Sequence, residues 1–157
     1  MKSGNLDTFF TDKATTRYLF GRSAAEAEIS VVEGVMGYYD GLGGISEEAS
    51  SSDVAAALNM PVVLVVNCRG MSISVVPLIK GFLEYQNPSR IKGVILNQMP
   101  KSLYADMKAQ IERWLPVKVL GYVPKVEDLV LESRHLGLVL PGEIESLKEK
   151  LNRLAEV

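Results

Sequence analysis

Short runs of branched apolar residues alternate along this 157-residue chain with longer stretches whose apolar positions recur every third or fourth residue. The first pattern predicts strands and the second amphipathic helices. Residues 16–27 are rich in helix formers, with Leu19, Phe20, Ala24 and Ala27 at helical spacing. A short buried strand is expected over 29–33. Ser50, Ser51, Ser52 and Asp53 supply N-cap candidates for a helix through 54–58. After Pro61, the unbroken valine-rich run 62–66 reads as a strand buried on both faces. A helix is expected over 71–85, where Ile73, Val76, Ile79 and Leu83 fall near one face, and Pro88 closes it. The next strand is 91–96, the next helix 101–115, and the fourth strand 117–123. A looser segment precedes a last helix over 143–155, in which Ile144, Leu147, Leu151 and Leu154 keep helical spacing.

Strands separated by single helices imply right-handed crossovers, hence an α/β fold with a parallel sheet and helices on both faces. No internal repeat, low-complexity tract or interdomain linker interrupts the pattern, and the length suits a single domain. The stretch 34–48 is the one long irregular connection, and long loops in compact domains are usually functional.

Charge and composition narrow the function classes. The net charge is −2, with Lys and Arg scattered along the chain, so no basic face offers itself to nucleic acid or to a membrane surface. The longest strongly apolar run, 60–66, is too short to span a bilayer, and the polar opening Met1-Lys2-Ser3-Gly4 is no signal peptide. A lone cysteine, Cys68, forbids an internal disulfide and fits a reducing compartment. A cytoplasmic location is expected.

Candidate chemistry concentrates in VVEGVMGYYDGLGG, residues 31–44. An apolar run ends in Glu33, breaks into a loop holding five glycines, and presents Asp40 seven positions later. Loops at the carboxyl ends of parallel strands are where α/β proteins bind ligands. Two acids on backbone that can approach a ligand closely suit a magnesium-nucleotide or phosphoryl-transfer site. The plain alternative is a glycine-rich turn whose acids keep the loop hydrated.

Glu33, Asn67, Asn97 and Val123-Pro124 should share one rim of the sheet. Asn97 could offer its amide to a purine edge or simply end its strand in a turn. Asn67 reads mainly as a cap, and Cys68 as a quiet, enclosed thiol. His135, the sole histidine, is either a structural loop residue or a ligand contact; it lacks companions for a metal site.

The segment VVEGVMGYYDG closely resembles the hallmark of cobyrinic acid a,c-diamide synthases. The likeness extends through GNLDTFF, PVVLVVNCRGMSISVVPLIKGF, IKGVILNQM and VLGYVPKVEDLVLESRHLGLV, in order and over nearly the whole chain. This resemblance implies a P-loop NTPase-like, dethiobiotin-synthetase-like three-layer domain within a ligase of cobalamin biosynthesis. Enzymes of that family are glutamine amidotransferases. They use ATP and Mg2+ to activate the a and c acetate side chains of cobyrinic (or hydrogenobyrinic) acid as acyl phosphates, which glutamine-derived ammonia converts to amides. It further implies that Glu33 holds the metal or orients the phosphates and that Asp40 sits near the second substrate. By the same likeness the amides of Gly34 and Gly37 approach a ligand, Asn97 addresses adenine, and Arg134 and His135 lie toward the active site.

The chain departs from that family in lacking any GxxxxGKS/T phosphate loop and any stretch that could form a glutaminase domain. It is therefore expected to be the middle of a larger enzyme, a partial synthetase domain without its first strand, inactive alone and binding nucleotide weakly at best. An apolar edge left by the absent strand should make it a homo-oligomer. Asn67, where related ATPases often carry aspartate, weakens a metal role there. Two other classes stay open: a non-catalytic ATPase-like binding or regulatory module, and a related enzyme. Of the latter, the order of motifs favours a,c-diamidation over cobyric acid synthase or dethiobiotin synthetase. It does not separate a nickel-sirohydrochlorin a,c-diamide synthase.

Overall fold

The computed structural model of the chain describes residues 4–126 and 147–155. Three strands form one parallel sheet in the order β1 (Val62–Asn67), β2 (Ile91–Asn97), β3 (Lys118–Val123). Each strand thus pairs with the next in sequence, the arrangement that strand–helix–strand crossovers produce. Helices α1 (Lys13–Ala24) and α2 (Ser51–Leu58) precede the sheet; α3 (Val75–Tyr85) and α4 (Lys101–Trp114) connect its strands, and α5 (Leu147–Ala155) follows. The α/β parallel architecture read from the sequence is the one observed.

The chain forms two compact units. The first comprises Met1–Leu64 and Leu83–Gly93, the second Val65–Phe82 and Val94–Val157. In the first, β1 and β2 begin their pairing with Val62 N–H donating to Arg90 C=O at 2.9 Å. In the second, Cys68 N–H donates to Asn97 C=O at 2.8 Å.

Capping and proline chemistry set the helix boundaries. The carboxylate of Asp12 accepts from Thr15 N–H at 2.7 Å, so α1 begins three residues before the expected Thr16. Thr16 is itself buried, its hydroxyl bonded to Thr11 Oγ1 at 2.8 Å and to Asp12 C=O at 2.9 Å. Helix α3 starts at Val75, not at Met71. Its Pro77 has no N–H to reach back to residue 73, so the regular ladder cannot extend further toward the N-terminus. At the end of α2, Asn59 adopts the left-handed conformation (φ 53°) and donates to Ala55 and Ala56 C=O.

Two strand expectations are corrected. Residues 29–33 form no strand, because an apolar run becomes one only when a neighbouring strand takes up its backbone groups, and none among the described residues does. Strand β1 is not buried on both faces: Val63 is 47% and Val65 60% exposed, while Val66 is buried. The last helix is described from Leu147 onward, and residues 143–146 lie outside the described residues.

Apolar burial differs between the units. In the second, Val66, Val75, Ile79, Val94, Leu96, Met99, Ile111 and Val119 are all buried. In the first, the buried apolar residues are Tyr38, Ala57 and Ile91, beside the hydroxyls of Thr16, Ser50 and Ser52.

Candidate functional site

The loop that carries both candidate acids lies in the first unit, tied at its middle to the start of α2. Tyr38 C=O accepts from Ser52 N–H at 2.9 Å, and Asp40 N–H donates to Gly37 C=O at 2.9 Å, closing a turn over Tyr38 and Tyr39. Tyr38 is buried and Tyr39 half-buried, their rings 4.6 Å apart, and Tyr39 also packs on Tyr85 at 4.7 Å. Burial raises both phenols, and Tyr39 reaches about 12 with further help from Tyr38, Glu47 and Tyr85. Leu42 N–H then donates to Glu48 C=O at 3.0 Å, returning the chain to α2.

The glycines of this loop answer to packing. A Cβ on Gly34 would lie 3.0 Å from Ser51 Cβ, and one on Gly37 would run into the Asp40 carboxylate. One on Gly41 would sit 2.6 Å from Ser46 C=O. Asp40 therefore folds over Gly37, with its side chain open to solvent, while Glu33 stands exposed four residues upstream of Gly37.

Beside this loop the first unit holds a cleft of about 560 Å³ that sequence reading missed. Its walls carry the hydroxyls of Thr8, Thr11 and Ser52, the carboxylates of Asp12, Glu47, Glu48 and Asp53, and the ammonium of Lys13. Lys13 Nζ lies 2.9 Å from Asp53. Burial pushes the Asp53 carboxyl up, but Lys13 and the Ala49 N–H outweigh it and hold it below its ordinary 3.8. Gln86 donates to Glu47 across the cleft. The signal that could have found it was GNLDTFF, whose Thr8 lines the wall; neither Glu33 nor Asp40 does.

In the second unit, Asn67, Asn97 and Val123 end the three parallel strands and so share one edge of the sheet. Glu33 ends no strand and belongs to the other unit. Asn67 Oδ1 accepts from Arg69 N–H at 3.1 Å, the capping role expected of it. Asn97 is half-buried, and no group among the described residues bonds its side-chain amide. The next residue, Gln98, is left-handed (φ 59°), a costly conformation for a side chain of that size. Cys68 is fully buried; burial pushes its thiol up, and it donates to Val66 C=O at 3.3 Å, which fits an inert thiol. Arg134 and His135 lie outside the described residues.

A family model for the AAA domain matches residues 8–133. The chain belongs to this family. Membership carries the P-loop NTPase-like character that the resemblance implied. Curated relatives sharpen it. The chain is 43% identical over 153 residues to a cobyrinate a,c-diamide synthase of Caldanaerobacter subterraneus, covering 97% of this chain and 34% of that protein. It is 38% identical to the one of Methanocaldococcus jannaschii, covering 96% of this chain and 34% of that protein. To that of Clostridium tetani it is 41% identical, over 98% of this chain and 34% of the relative. The chain thus spans about a third of the length of the curated relatives it matches, and the resemblance to cobyrinic acid a,c-diamide synthases holds along nearly all of it. No solved structure matches the chain. No helix among the described residues is long and apolar enough to cross a membrane.

Proposed function

We propose that this chain is the nucleotide-handling part of an ATP-driven, glutamine-dependent ligase that amidates the a and c acetate carboxylates of cobyrinic acid. The observation that carries this reading is 38–43% identity to cobyrinate a,c-diamide synthases over 96–98% of the chain, the Glu33–Asp40 loop included. A carboxylate resists attack by ammonia until one oxygen becomes a good leaving group. Phosphoryl transfer from ATP makes it an acyl phosphate and releases ADP; ammonia from glutamine then displaces phosphate and leaves the amide. Such transfers need positioning and charge neutralisation more than covalent help from the protein.

The residues fit a magnesium nucleotide in part. Among the described residues no cluster of three or more His, Cys, Asp or Glu could hold a metal ion unaided. Magnesium bound to a nucleotide asks for only one or two carboxylates, the phosphates and water supplying the rest. Glu33, exposed on its loop, would be that carboxylate, with the backbone at Gly34 and Gly37 beside the ligand. By the resemblance, Asp40 is assigned to the acetate side chain and Asn97, whose side-chain amide no described residue bonds, to the adenine edge. His135 is assigned to the nucleotide side. Bound ATP and Mg2+ would supply the phosphoryl group and the charge that offsets it.

The test uses the enzyme that carries this chain, given cobyrinic acid, Mg-ATP and glutamine, with products identified by mass spectrometry. The a,c-diamide is expected, and Glu33→Gln should lower kcat by about 100-fold or more, as losing a transition-state charge contact does. Amidation of nickel-sirohydrochlorin alone would reassign the substrate. Absence of any amide, with nucleotide still bound, would overturn the ligase reading in favour of a binding module.

A further inference from the structure

Gln98 holds a backbone conformation that its own side chain makes costly, just past the carboxyl end of β2. Among the described residues, Ala49, Asn59 and Gln98 are the non-glycine positions with positive φ, at 61°, 53° and 59°. The first two serve helix ends. Ala49 N–H donates to the Asp53 carboxylate at 3.3 Å at the head of α2, and Asn59 closes that helix. Gln98 caps no helix, since α4 begins at Lys101 behind Pro100 and has no side-chain cap. Its turn is fixed from both sides. Leu96 and Met99 are fully buried, and Asn97 C=O accepts from Cys68 N–H at 2.8 Å. Glycine would take that turn at no steric cost, and asparagine at little. Gln98 bears the cost although its half-buried carboxamide makes no bond among the described residues. Strain kept without a structural return is a mark of binding sites, and strand ends of this kind are where ligands sit.

We infer that Gln98 joins Asn97 in reading the nucleobase and sets the preference for adenine over guanine. This rests on the ligase reading, in which Asn97 addresses adenine. One carboxamide on the Watson–Crick edge does not separate the two purines. Adenine presents there a ring nitrogen that accepts and an amine that donates. Guanine presents a ring N–H that donates and a carbonyl that accepts, and an amide matches either by turning over. The major-groove edge differs. Adenine again pairs an acceptor with a donor, whereas guanine shows two acceptors, which a carboxamide cannot meet with one donating and one accepting end. The adenine amine carries a hydrogen toward each edge, so it can serve two carboxamides at once. A second carboxamide at the same strand end thus supplies the discrimination that the first lacks.

Isothermal titration of the enzyme that carries this chain, with Mg-ATP and separately with Mg-GTP, tests this. Wild type is expected to bind Mg-ATP more tightly. Gln98→Gly removes the carboxamide from a turn that glycine adopts without strain, so the fold is kept. It should lower the ratio of ATP to GTP affinity by roughly tenfold or more. An unchanged ratio, with both nucleotides bound as before or weakened alike, would overturn this inference and leave the ligase reading standing. A wild type that binds both nucleotides equally would do the same. Binding of neither nucleotide would overturn the two together.

Discussion

At Gly34 the sequence reading and the structure assign one residue different work. A glycine beside an acid suggested close approach to a ligand, yet the space a side chain would fill is held by Ser51, whose Cβ would stand 3.0 Å away. Gly34→Ala is expected to cost about 1–3 kcal/mol in thermal unfolding, with much of it recovered in a Ser51→Gly background. Asp53 sets a second expectation. Its carboxyl titrates below the ordinary 3.8 in the folded chain, so its ionised form favours folding. That contribution is whole above about pH 5 and is lost as the pH falls through the folded value. The urea midpoint of wild type should exceed that of Asp53→Asn near neutrality, and the gap should close in acid. Its size is bounded at about 1 kcal/mol, because Lys13 is more than half exposed. Glu33 and Asp40 stood out as candidates because both sit within one short glycine-rich stretch. The cleft was not, because Lys13 meets Asp53 across forty positions and no local pattern announces such a pairing.

Elements were legible wherever one pattern decided them. The strands at 62–66, 91–96 and 117–123 and the helix at 101–115 stand within two residues of expectation at each end, since valine runs and helical periodicity leave few alternatives. Pro77 and Asp12 moved two helix starts by means visible in the sequence but outweighed there by apolar spacing. The run 29–33 misled for a different reason: apolar character says that a strand would be welcome, and only a partner makes it one. Helix α2 depends on its serines. Ser50 Oγ accepts from Asp53 N–H at 3.3 Å and bonds Ser52 Oγ at 2.8 Å, all within the buried start of the helix. Ser50→Ala should therefore lower the free energy of unfolding by about 1–2 kcal/mol in urea titrations, more than an exposed cap would.

Across the molecule, alternating strand and helix patterns revealed the α/β class because chain order and sheet order coincide in β1-β2-β3. The division into two units was not legible, since its boundaries pass through β1, α3 and β2 and no linker marks them. The units should differ in local stability. The first buries hydroxyls and a few apolar side chains, the second a broad aliphatic set. Amide hydrogen exchange should be slower in α4 than in α1 and α2, and the reverse order would contradict the burial pattern. Cys68 turns this difference into a clock. Its thiol is 0% exposed and is the sole thiol in the chain, so a thiol-specific reagent can modify the protein only when the surroundings of β1's end open. The rate of that single modification, followed with and without a nucleotide, would convert occupancy of the ligand into colour appearing in a cuvette, with no label introduced and no residue changed.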